Sequence, residues 1–243
     1  SACTFIGNPQ NVLIGSLSQV PAGEYFLSAA PISFLGLIML YLAISFKYKN
    51  DLSVSFEYKS DNNSIIHKYL LSKTIIVLAL VIVFYLVGFD LLINARIKPE
   101  RVYEDIDFNL LIMFIGLFII IAGVEKSGLL DLINSFLPPE YMKEIPLFSV
   151  MAIVLSNIVS NVPAVLLLRY YIPVDEQILW QALALLSTIA GNLTVFGSIA
   201  NLIVIEIAKK QGIKVTSNQY LKIGFPLTIL LSIISIIWFE FIN

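Results

Sequence analysis

Two short clusters of Asn, Ser, Gly and Pro stand inside otherwise apolar stretches: SNIVSNVP at 156–163 and GNLTVFGSIAN at 191–201. Neither contains Asp, Glu, Lys or Arg, so the chemistry on offer is binding by dipoles and neutral oxygens. These residue types form helices poorly, and each broken turn frees backbone N–H and C=O groups. At membrane depth such groups are tolerated only where they line a cavity or a bound solute. Ser156, Asn157, Ser160, Asn161, Gly191, Asn192 and Thr194 could supply the oxygen shell of a sodium ion, with Ser160, Asn161, Gly191 and Thr194 as the core of that set and Pro163 closing the first break. Gly197, Ser198 and Asn201 fall where a second half-helix would begin, and its N-terminal amides would attract an anion. A single Asn in such a place is more simply packing glue between helices. Two dense clusters with adjacent Gly and Pro favour a binding site.

A third segment repeats the second cluster. Thr4, Gly7 and Asn11 match Thr194, Gly197 and Asn201 at an offset of 190, and Asn8 aligns with Ser198. Further on, Tyr25 and Pro31 match Tyr220 and Pro226 at an offset of 195. Both copies read as broken helix, short linker, Tyr, Pro and a closing membrane helix. Thr4, Gly7, Asn8 and Asn11 are therefore the repeat-related site candidates. The second copy is preceded by a membrane helix, a linker and the Ser-Asn cluster, whereas the first has no such lead-in. A full repeat of this kind predicts roughly 80 or more further residues upstream of Ser1, so the sequence is read as a fragment.

The elements that must hold these residues follow from composition. Of 243 residues, 58% are apolar and 13% are charged, against about 25% charged in soluble domains. That deficit excludes a soluble enzyme and a disordered chain. Cys3 is the only cysteine, which excludes a disulfide scaffold. The net charge of −2 gives no reason to expect nucleic acid. No nucleophile–base pair or cofactor motif appears, and His67 has no second ligand at metal spacing. Seven stretches carry no charge: 1–23, 25–46, 74–89, 108–124, 145–168, 177–205 and 223–239. Several approach the ~20 residues that a helix needs to cross a bilayer, and none alternates with period two as a barrel strand would. The expected class is an all-α polytopic membrane protein.

Single crossings at 74–93, 108–124, 145–168 and 177–205 put eleven basic loop residues on one side and four on the other. The positive-inside rule then places loops 47–73 and 206–222 in the cytoplasm of a multi-pass inner-membrane protein. Trp180, Trp238, Tyr170 and Tyr171 lie near helix ends, as an interfacial aromatic belt would. Asp90, Glu125, Lys126 and Glu206 flank apolar stretches and read as snorkelling or interface residues. Segment 126–142 reads as a helix on the membrane surface.

The motifs resemble those of the ion transporter superfamily that includes divalent-anion/sodium symporters, citrate transporters and arsenite permeases. The similar text is FNLLIMFIGLFIIIAGVEKSGLLD at 108–131, LSNIVSNVPAVLLL at 155–168, GNLTVFGSIANLIVIEIAKKQG at 191–212 and GNPQNVLIG at 7–15. The resemblance implies inverted-topology repeats, each with a re-entrant hairpin and a discontinuous helix. On that basis 1–46 is the end of a first repeat and 47–72 a cytoplasmic linker. Residues 73–243 form the second repeat, with hairpin 145–168, broken helix 177–208 and final helix 222–242. The function implied is secondary active transport of a small anion (dicarboxylate, citrate, sulfate or arsenite class), with Na⁺ or H⁺ as coupling ion and no other cofactor. Membrane lipid is an expected partner, and a homodimer is compatible with such a fold. In one branch the hairpin tip reads Ser-Asn-Thr, and here Val162 replaces the Thr. In another it reads Asp-Asn-x-Pro, and here Ser160 replaces the Asp. A non-transporting membrane subunit, or a half that needs a partner chain, is the alternative of a different class.

Overall fold

The computed structural model describes residues 2–49, 141–210 and 212–243, with single positions at 76 and between 112 and 128. The expectations for linker 47–72, crossings 74–93 and 108–124, segment 126–142, and for His67, Asp90 and Glu125 fall largely or wholly outside these residues. Among the described residues there are seven α-helices and no strand. They are α1 Pro9–Leu17, α2 Ala22–Lys47, α3 Ile145–Val159, α4 Asn161–Leu168, α5 Gln177–Ala190, α6 Ile199–Lys210 and α7 Ser217–Ile242.

Two of these helices, α2 and α7, are long and apolar enough to cross a membrane. Each has 26 residues, about 39 Å at helical rise, which exceeds a hydrocarbon core of about 30 Å. Their outer faces expose Phe34, Leu37 and Tyr41 on α2 and Ile233, Ile237 and Phe241 on α7, a surface that lipid solvates and water does not. The ends are set by polar chemistry. In α2, Glu24 lies in the first turn and Lys47 in the last, both complementing the helix dipole. In α7, Thr216 Oγ1 accepts from the Gln219 amide at 3.2 Å, and Gln219 Oε1 accepts from the Thr216 amide at 2.9 Å. This reciprocal cap starts the helix at Ser217, five residues before the expected 222, because capping and not hydropathy fixes the first turn.

The pair runs antiparallel. Trp238 Nε1 on α7 donates to the Ser28 carbonyl on α2 at 2.9 Å, and Leu231 packs over Gly36, where a Cβ would stand 3.1 Å from its Cδ1. Later residues of one helix therefore meet earlier residues of the other. Both helices carry a proline at the tenth position, Pro31 and Pro226.

The centre of the molecule is α5. Its residues from Leu179 to Ser187 are all buried, Gln181 and Ser187 among them, as a helix surrounded on every side requires. Helices α1, α2, α3, α4 and α7 pack around it. Phe148 and Ala152 come from α3, Tyr25 and Ile32 from α2, and Phe239 from α7. Trp180 belongs to this core and not to an interfacial belt. It is 3% exposed, and its Nε1 donates to the Pro173 carbonyl at 3.1 Å. A ring on the buried face of α5 cannot reach the lipid boundary.

Helices α3, α4 and α5 have 15, 8 and 14 residues, about 22, 12 and 21 Å. None spans the hydrocarbon alone. Stretch 145–168 is interrupted at Ser160, and 177–205 is interrupted between α5 and α6.

Candidate functional site

The two interruptions meet. A Cβ placed on Gly191 would stand 3.1 Å from Asn161 Nδ2, 3.3 Å from Ser198 Cβ and 3.4 Å from the Gly197 carbonyl oxygen. A Cβ on Gly197 would stand 2.8 Å from the Gly191 carbonyl oxygen and 3.1 Å from Asn157 Oδ1. Two glycines thus let the break after α5 close on itself and on the Ser-Asn break. Asn157 ties the two together: its Nδ2 donates to Ile153 O at 3.0 Å and to Ala190 O at 3.1 Å.

At this crossing the buried Asn157 Oδ1 and Asn161 Oδ1 lack a hydrogen-bond partner, as does Ser156 Oγ, one residue before Asn157. Ser156 is 1% and Asn161 7% exposed. An unsatisfied buried acceptor costs about 1–3 kcal/mol, which a bound cation would offset. The C-terminal carbonyls of α3 and α5 and the N-terminal amides of α4 and α6 flank the same crossing. Opposite helix ends at one place suit a cation and an anion together.

Ser160, between α3 and α4, has φ 75° and ψ 161°, a region that glycine alone occupies without strain and that costs about 1–3 kcal/mol otherwise. Its side chain is exposed, so it contributes the bend and not a buried ligand. Ser160→Gly is expected to raise stability by about 1 kcal/mol, strain relief exceeding the added chain entropy of glycine. Thermal unfolding of the purified protein checks this, and a lower melting temperature would assign the Ser160 hydroxyl a stabilising contact.

The repeat-related motifs have matching local structure. Thr4 and Thr194 are extended, a 3₁₀ turn follows at Phe5–Gly7 and at Val195–Gly197, Asn8 and Ser198 are extended, and a helix begins at the next residue. Asn11 Nδ2 donates to Thr4 O at 3.2 Å and to Tyr25 Oη at 3.3 Å. Asn201 Nδ2 donates to Thr194 O at 3.4 Å, to Tyr220 Oη at 3.0 Å and to Gly191 O at 2.8 Å. The same Thr-Asn-Tyr clamp thus forms twice. Phe5 stacks on Tyr25 with ring centroids 4.3 Å apart.

The structure therefore divides the sequence candidates. Asn157, Asn161, Gly191, Gly197 and Ser198 come together at the crossing, and Ser156 is buried next to Asn157 in the chain. Asn11 and Asn201 spend their amides on the chain's own carbonyls and hold the unwound backbone in shape. Thr4 and Thr194 supply carbonyls to those clamps. Gly7, Asn192 and Ser160 are exposed, and Pro163 is half-buried on α4. Of the sodium set read from sequence, Asn161 and Gly191 are adjacent. The Thr194 carbonyl already accepts from Gly197 N at 3.1 Å.

Thr188 was not among the candidates. Its Oγ1 accepts from Asn8 Nδ2 at 3.0 Å and lies 3.3 Å from Asn11 Oδ1 and 2.8 Å from the Ala184 carbonyl. One hydroxyl on the central helix links the first motif to the helix that leads into the second break. Its only signal in sequence is its place three residues before Gly191.

A family model described as a citrate transporter matches residues 1–174. The chain is 33% identical to a transporter named arsB from Dictyostelium discoideum over 181 residues, 66% of this chain and 32% of the relative. It is 32% identical to a silicon efflux transporter of Oryza sativa subsp. japonica over 152 residues, 56% of this chain and 31% of the relative. An uncharacterised transporter of Methanocaldococcus jannaschii is 29% identical over 92% of this chain and 58% of its own length. The chain thus spans about a third of the first two relatives. No solved structure matches it.

Proposed function

Because the chain belongs to the citrate transporter family, we propose that the protein to which it belongs is a secondary active transporter. It moves a small oxygen-rich anion across the inner membrane by alternating access, coupled to Na⁺ or H⁺. The observation that carries this reading is the contact of two helix breaks at Asn157 and Asn161, whose side-chain oxygens are unpaired. Broken helices crossing near the midplane are how such transporters build ion and solute sites. The coupling cation sits on Asn157 and Asn161, and the anion on the N-terminal amides of α4 and α6.

The inverted-repeat reading is supported by two facts taken together. Helices α2 and α7 correspond in sequence at an offset of 195, and they run in opposite directions. Segment 1–46 is then the end of one repeat and 73–243 the other, with 145–168 a re-entrant hairpin. Loops 47–73 and 206–222 face the cytoplasm.

The substrate panel is citrate, after the family's description, with dicarboxylates, sulfate and arsenite, which the superfamily resemblance implies. Uptake is measured in proteoliposomes that hold the full-length protein, with a sodium gradient, a proton gradient or neither. Gradient-dependent flux of one panel member is the expected result. Absence of flux for every member under both gradients would overturn the proposal.

A further inference from the structure

A cavity of about 540 Å³ lies where α2 and α7 part beyond their contact at Gly36 and Leu231. The volume is in the range of about 300–1,000 Å³ usual for small-ligand sites. Its wall is aliphatic: Leu40 and Ile44 from α2, Ile223 and Leu227 from α7, and Ile213 and Val215 from the segment before α7. Most of the polar lining is committed elsewhere. Tyr220 Oη donates to the Asn192 carbonyl at 3.2 Å, Asn201 Nδ2 is bonded to Gly191, Thr194 and Tyr220, and Gln219 Oε1 caps α7. Lys214 is the charged residue on the wall, and it makes no ion pair among the described residues.

Two wall positions differ from their counterparts in the first motif. Phe239 corresponds to Ile44 and Tyr25 to Tyr220 at the offset of 195, and both are fully buried, whereas Ile44 is 38% exposed. The cavity is therefore not a by-product of the Thr-Asn-Tyr clamp. It needs an occupant that is apolar over most of its length and anionic at one end. It opens between two helices whose neighbouring side chains Leu37 and Tyr41 are 62% and 71% exposed, so the bilayer is its reservoir. Lys209, Lys210 and Lys222 near the same end raise the local concentration of anionic lipid.

We propose that this cavity is a binding site for one acyl chain of an anionic lipid, with its carboxylate or phosphate head group on Lys214. The cavity borders the second break through Asn192 and Asn201 but is not lined by Asn157 or Asn161, and the proposal does not depend on the transport reading.

The test is photolabelling of the full-length protein in phosphatidylcholine vesicles. One arm carries palmitate with a diazirine on its chain, and the other carries phosphatidylglycerol bearing the same diazirine acyl chain. Labelled residues are mapped by mass spectrometry. The expected result is enrichment at Leu40, Ile44, Ile223 and Leu227 over the lipid-facing Leu37 and Tyr41, in at least one arm. The arm that labels identifies the head group. Lys214→Glu should lower the cavity labelling about fivefold or more by reversing the head-group charge, and Leu227→Trp should lower it by filling the volume, with labelling of Leu37 and Tyr41 unchanged in both. Lys214 is exposed, so its substitution leaves the packing untouched. Labelling spread evenly over α2, or labelling indifferent to Lys214→Glu, would overturn the proposal. Because the readout is labelling and not flux, its failure and a failure of transport are separate results.

Discussion

Asn161→Ala is expected to abolish gradient-driven flux in the full-length protein while leaving its stability within about 1 kcal/mol of the parent. The side chain is 7% exposed, yet its Oδ1 has no partner. Removing an unsatisfied acceptor breaks no bond and relieves a desolvation cost, which offsets the small loss of packing. Asn201→Ala should behave in the opposite sense. Asn201 Nδ2 holds Gly191 O, Thr194 O and Tyr220 Oη, so its loss strands acceptors in a half-buried place and costs about 1–3 kcal/mol. Flux in proteoliposomes and denaturation midpoints of the two variants separate these roles. Parental flux in Asn161→Ala would remove that residue from the site. A stability loss in Asn161→Ala as large as in Asn201→Ala would make it packing glue.

The second large effect is expected at Gly197. An added methyl would stand 2.8 Å from the Gly191 carbonyl oxygen, and that neighbour is backbone, which cannot rotate away. Gly197→Ala should therefore cost about 1–3 kcal/mol by overpacking and push the break after α5 off Asn157, with loss of flux. Gly116→Ala is the control, because nothing among the described residues lies within 4 Å of the Cβ it would add. That change should be neutral or stabilise by up to about 1 kcal/mol through helix propensity. Equal destabilisation of both variants would show that the close approach at Gly197 is not what matters.

Much of this arrangement was legible in the residues. The charge deficit placed α2 and α7, and the two polar clusters marked both breaks, since clustered Asn, Ser, Gly and Pro are poor helix formers. The matched Thr, Gly, Asn and Tyr pointed to equivalent segments. What the pattern could not supply was which polar atoms pair with which. Asn11 and Asn161 look alike in sequence, yet one holds the Thr4 carbonyl and the Tyr25 hydroxyl and the other carries an unpaired oxygen. That difference is set by how each segment folds back on its neighbours, which residue type alone does not give. Thr188 was hidden for the same reason, since a lone Thr in an apolar helix usually bonds its own preceding turn. The burial of Trp180 likewise depends on how the other helices surround α5, which the residues of α5 do not give by themselves.

The aromatic stack in the first motif has a consequence for local opening. Phe5 covers the Tyr25 ring, while the aligned residue of the second motif is Val195, which offers no ring to stack. A stacked pair contributes about 0.5–1.5 kcal/mol beyond its burial, which makes transient unfastening of the first clamp roughly two- to tenfold rarer than that of the second. Backbone amides near Asn11 are then expected to exchange with solvent more slowly than those near Asn201, which hydrogen exchange checks.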